Sequence, residues 1–90
     1  MKRLNIKIYD NGGESFDRYT IVFLCEPENR PGFYAAFAMS ENPFHPQGFG
    51  QWCTAQDGAH LGKRITAEDL PLDCRNILKQ ITADYLPIAA

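Results

Sequence analysis

Lys2 to Gly13 reads KRLNIKIYDNGG, and this stretch decides the fold. Leu4, Ile6 and Ile8 alternate with mostly polar neighbours, which is the period of two expected of a half-buried strand. Asp10-Asn11-Gly12-Gly13 then supplies the Asn-Gly signal of a hairpin, because both turn positions tolerate positive φ. An antiparallel partner is therefore predicted next. Phe16 to Cys25 provides it, with Phe16, Tyr19, Ile21, Val22, Phe23 and Leu24 large or β-branched on both faces, as in a central strand.

Working outward, Glu26 to Gly32 is a polar turn containing Pro27 and Pro31, and Phe33 to Met39 resumes a strand. Phe33, Ala35, Phe37 and Met39 share one face; Tyr34, Ala36 and Ala38 share the other, and the small alanines predict a helix lying close against them. Gln51 to Gln56 and Leu61 to Ile65 read as two short strands separated by an Asp57-Gly58 turn. Glu68, Asp69 and Pro71 mark a helix start, since acidic side chains suit the amino-terminal dipole and proline suits the first turn. Cys74, Ile77, Leu78, Ile81 and Tyr85 follow at spacings of three and four, an apolar stripe on a helix of about fourteen residues that Pro87 ends. The predicted fold class is α+β: an antiparallel meander of four or five strands with one carboxy-terminal amphipathic helix packed on one face. A chain of 90 residues without an internal linker reads as a single domain, 1–90.

Composition narrows the function classes. With 44% hydrophobic and 22% charged residues the chain is globular in character. A formal charge of -2 lacks the basic footprint of a general nucleic-acid binder, although Lys2, Arg3, Lys7, Lys63 and Arg64 leave room for a local basic patch. Cys25, Cys53 and Cys74 are odd in number and widely spaced, without a CxxC, which predicts free thiols in a reducing cytoplasm. MKRLNIKI carries no apolar run of the kind a signal peptide needs, and no segment approaches the roughly 20 apolar residues of a membrane span.

The stretch least like a generic scaffold is Asn42 to Gln51, NPFHPQGFGQ. Asn42-Pro43 and His45-Pro46 bias their leading residues toward extended geometry, so the segment reads as a stiffened loop between strands. Gly48 and Gly50 admit positive φ or close backbone approach. Phe44 and Phe49 are predicted to anchor the loop against the sheet, leaving His45, Gln47 and Gln51 able to face a partner, with Lys63 and Arg64 as neighbouring charges.

Catalytic constellations are weak by comparison. A structural zinc site uses closely spaced ligand pairs, and His45, Cys53 and His60 form none, so neither a metal nor any other cofactor is expected. Cys53 with His45 is the best candidate for a nucleophile and base, but it lacks a motif, and no P-loop, dinucleotide-binding glycine motif or nucleophile elbow is present. Lys63 and Arg64 are adjacent strand residues and must point to opposite faces. Tyr9, Tyr19, Tyr34, Phe33, Phe44, Phe49 and Trp52 would suit a stacking surface for single-stranded nucleic acid, with Lys63 or Arg64 as its basic residue, though the charge balance does not favour it.

The segments DRYTIVF (Asp17–Phe23), AMSENPFHPQGFGQ (Ala38–Gln51), HLGKRI (His60–Ile65) and DLP (Asp69–Pro71) together resemble a family of small proteins of phages, prophages and other mobile elements. The resemblance runs from Asp10 to about Leu78 and implies a genomic setting more than an activity; no catalytic residue comes with it. In that setting small proteins are often non-enzymatic inhibitors of host defence, including anti-CRISPR proteins that dock on an effector complex. The expectation is a binding protein and not an enzyme, acting in the cytoplasm of a bacterial host on a host protein complex such as a CRISPR effector. A single-stranded nucleic-acid-binding module is the alternative.

Overall fold

The computed structural model describes residues 2–87. Five strands, β1 (Ile6–Asp10), β2 (Tyr19–Pro27), β3 (Phe33–Met39), β4 (Gly50–Gln56) and β5 (Lys63–Ile65), precede one helix, α1 (Leu72–Ile81). They form an antiparallel sheet in the order β4-β3-β2-β1-β5. The first four strands are a meander, and β5 then returns to the free side of β1. The fold is α+β, with the carboxy-terminal helix on one face of the sheet.

The first turn is longer than the Asn-Gly signal predicts, and β2 begins at Tyr19, not Phe16. Asp10 and Asn11 use their side chains on the backbone: the Gly12 N–H donates to Asp10 Oδ1, and those of Gly13 and Glu14 donate to Asn11 Oδ1. Such local bonds compete with a two-residue hairpin. The positive φ falls on Gly12 and Gly13, with Asn11 outside that region. Phe16 consequently lies in the loop, 61% exposed.

Alternation places Ile8, Tyr19, Ile21, Phe23, Phe37 and Met39 on one face, where they bury against Leu70, Cys74 and Leu78. The helix therefore covers the Phe37 and Met39 face and not the alanine face. The larger side chains remove more apolar surface from water when covered, and that gain outweighs the closer approach alanine would permit. The alanine face has a different cover. Because β4 and β5 occupy opposite edges, residues 57–62 must cross the sheet, and they cross on this side. Asp57 accepts hydrogen bonds from Tyr9 Oη at 2.6 Å and Lys7 Nζ at 2.9 Å, while its own N–H donates to the Gly32 carbonyl. At the far end Gly62, φ 121°, lies so close to the Asp10 carbonyl that a Cβ would collide with it. Val22 and Ala36, on the same face, are fully buried.

The helix is shorter than the stripe predicts. Glu68 and Asp69 belong to a separate helical turn, Ala67–Asp69, closed by the Thr66 N–H and hydroxyl donating to Asp69 Oδ2. Leu70 is extended, as the residue before a proline prefers, so α1 starts only after Pro71. It ends at Ile81, where the Thr82 hydroxyl donates to the Leu78 carbonyl. Tyr85 lies beyond it yet still packs on Phe23, with ring centroids 5.6 Å apart. Among the described residues no helix is long and apolar enough to cross a membrane.

Candidate functional site

Register brings two loops together. Asp10 pairs with Tyr19, Tyr19 with Met39, and Met39 with Gly50, so loops 11–18 and 40–49 leave the same end of the sheet side by side. A cleft of about 520 Å³ lies between them, with Phe16 and Arg18 on one wall and Glu41, His45 and Gln47 on the other.

Loop 40–49 is held mainly by its own backbone. The Ser40 N–H donates to the Phe49 carbonyl at 2.9 Å, and the Phe49 N–H returns to Ser40 Oγ at 3.1 Å. Inside this clasp the His45 N–H donates to the Asn42 carbonyl, the Gly48 N–H to the His45 carbonyl, and the Gln47 N–H to His45 Nδ1. Gly48 is required by contact: a Cβ there would run into the Asn42 carbonyl. At the base, Cys74 Sγ lies 3.4 Å from the Ser40 carbonyl, which ties the loop to α1; burial pushes this thiol up to about 11.

The two expected anchors divide. Phe49 is half-buried and stacks on Phe16 with centroids 5.4 Å apart and 14° between the rings. Phe44 is 57% exposed and does not hold the loop down; backbone bonds close the loop. His45 and Gln47 are exposed at the cleft. Gln51 lies outside it on β4, opposite Ala38. Lys63 sits opposite Asp10 and Arg64 opposite Tyr9, so the two point to different faces and form no shared patch. Nor do the amino-terminal cations gather into one: Lys2 pairs with Glu26, and Lys7 with Asp57.

Arg18 and Glu41 are not legible from the sequence as site residues. Arg18 donates to Asp10 through Nε at 2.8 Å and Nη2 at 3.1 Å, and its Nη1 lies 3.3 Å from Glu41. That hydrogen bonding holds the Asp10 carboxyl below its ordinary range and raises the guanidinium further. The cleft wall thus carries one guanidinium between two carboxylates, a net negative network beside the exposed Phe16 ring. Alternation could not find it, because the Asp10 to Arg18 approach exists only once β1 and β2 have paired.

Cys53 projects from β4, and desolvation raises its thiol, so at neutral pH it is protonated and a poor nucleophile. Among the described residues no group of three or more His, Cys, Asp and Glu side chains could hold a metal ion. Comparison with protein families, with curated proteins and with solved structures finds no match to this chain.

Proposed function

We propose that this chain is a non-enzymatic binding protein of a phage or mobile element that docks on a host defence complex, in the manner of an anti-CRISPR protein, through the end of the sheet carrying loop 40–49. The observation that carries the reading is the exposure of Phe16 (61%), which lines the cleft, and of Phe44 (57%), on the loop that forms its opposite wall and is held rigid by two prolines and its backbone clasp. Exposed aromatic side chains on a rigid support are the usual anchors of protein interfaces, because they bury much area at little conformational cost. His45 and Gln47 supply polar contacts beside them. The sequence resemblance supplies the setting: a small protein made in an infected bacterial cytoplasm.

A nucleic-acid platform finds less support. Stacking needs rings open on a sheet face, whereas Tyr9 and Tyr19 are buried, α1 lies over one face and residues 57–62 cross the other. The net charge of -2 weighs the same way.

Expression in a CRISPR-active host, scored by plaque recovery and by co-purification of effector subunits, tests the proposal. Wild-type protein restores plaquing and captures a complex, and Phe44→Ser with Phe16→Ser loses both while keeping its melting temperature. Failure of the wild type in both assays sinks the reading.

A further inference from the structure

The two edges of the sheet are protected unequally. β5 spans three residues and carries Lys63 and Arg64, the kind of short, charged strand that discourages pairing with another chain. β4 is seven residues long, Gly50–Gln56, reads GQWCTAQ, and has neither a proline nor an ionisable acid or base other than the Cys53 thiol. Its register against β3 is unbroken from Phe33↔Gln56 to Met39↔Gly50. The Ser40 N–H bonds to the Phe49 carbonyl and the Asp57 N–H to the Gly32 carbonyl. Odd-numbered residues of this strand therefore turn their backbone groups inward, and Gly50, Trp52, Thr54 and Gln56 turn theirs to the open edge. Trp52 is 54% exposed on this edge strand while its ring packs over the sheet face on Phe23 and Phe37.

We infer that β4 pairs antiparallel with β4 of a second copy of this chain, about a two-fold axis through Cys53, joining two sheets into one. This register overlaps the strands fully. It sets Trp52 opposite Thr54 of the second copy and Gly50 opposite its Gln56, so every outward N–H and C=O of the strand finds a partner. Self-pairing carries no like-charge cost, since the strand bears no charge at neutral pH. The flanks carry both signs: Glu28 and Arg30 line a cavity with Thr54, and Lys2, Glu26 and Asp84 one with Trp52, so pairing Trp52 with Thr54 brings groups of mixed charge together.

The axis makes a chemical reporter of Cys53. Its backbone groups face β3, so Cys53 and its copy form the narrow, non-hydrogen-bonded pair, with Cα atoms about 4.5 Å apart and both side chains on one face. That separation is within the range a disulfide accepts. With added diamide, the two thiols give up two protons and two electrons to the oxidant and one S–S bond forms.

Sedimentation equilibrium of the full chain under reducing conditions is the first measurement. The expected result is twice the 10.2 kDa of one chain. Diamide should then link the dimer covalently in wild type, Cys25→Ser and Cys74→Ser, but not in Cys53→Ser. Thr54→Pro removes one outward N–H without touching the bonds to β3, and should give a monomer whose circular dichroism is that of the wild type. A mass of one chain at all concentrations up to millimolar overturns the inference. So does a dimer that survives Thr54→Pro, or one that diamide links as readily without Cys53. None of these outcomes depends on whether loop 40–49 binds a host complex.

Discussion

Replacing Asp57 by alanine should unfasten the crossover from the sheet. The carboxylate accepts the Tyr9 hydroxyl at 2.6 Å and the Lys7 ammonium at 2.9 Å, and its side chain is 17% exposed. A hydrogen bond to a charged group contributes about 1.5–3 kcal/mol, while the Lys7 pair, open to water on one side, adds about 0.2–1 kcal/mol. The sum, about 2–4 kcal/mol, is a large share of the stability of a domain this size. At about 4–8 °C per kcal/mol the melting temperature should fall by on the order of 8–30 °C. Thermal unfolding followed by circular dichroism measures it. A double-mutant cycle with Tyr9→Phe separates the hydroxyl contact from the rest, and the two changes should be strongly non-additive. If Asp57→Ala moves the midpoint by less than about 2 °C, or the pair proves additive, residues 57–62 are held by something other than this carboxylate.

Three further outcomes follow from the same structure. Asp57 and Asp10 both titrate below their ordinary value, through hydrogen bonds from Tyr9 and Arg18 respectively, so the unfolded chain binds those protons more readily. Their contribution is present above the ordinary carboxylate value of 3.8 and is lost as pH falls through the depressed values; urea midpoints should drop below about pH 4, and less in Asp57→Asn than in wild type. Phe23, fully buried between Trp52 and Tyr85, should cost about 3–5 kcal/mol on truncation to alanine, and a cooperative melt within a few degrees of wild type would contradict its place in the core. Gly48→Ala forces a methyl group onto the Asn42 carbonyl and should cost about 1–3 kcal/mol; hydrogen exchange of the residue 48 amide should accelerate, and unchanged protection would refute the close approach.

Sequence alternation carries most of the sheet because each strand has its own period and needs only local information. Phe33 to Met39 matches β3 at both ends. What alternation cannot supply is the choice of cover for each face. The alanines suggest a helix by size, but the competition is settled by apolar area on the Phe37 side and by the route from β4 to β5, and both depend on strand order. The helix start differs from expectation for a related reason: Glu68, Asp69 and Pro71 resemble one amino-terminal signal and are divided between two short helical segments by Leu70, which turns into the core. At the candidate site, the two prolines and Gly48 disclose a rigid loop, and His45 and Gln47 fall on its outside. Phe44 escapes the same reasoning because burial of a loop ring depends on what stands opposite, and here the backbone clasp leaves nothing for it to fill.

The return of β5 to β1 also orders events in time. A chain is made from its amino terminus, and four strands of local pairing can assemble while the remainder is still being synthesised. Until residues 57–87 emerge, however, that meander has neither α1 over Phe37 and Met39 nor Asp57 reaching Tyr9, and Cys74 is not yet beneath Ser40. The nascent sheet is thus greasy on one side and loose at the very loop proposed to bind. Completion of the last third closes the core and fixes the base of loop 40–49 in one event, so a truncated product would lose the recognition end along with the cover of its core.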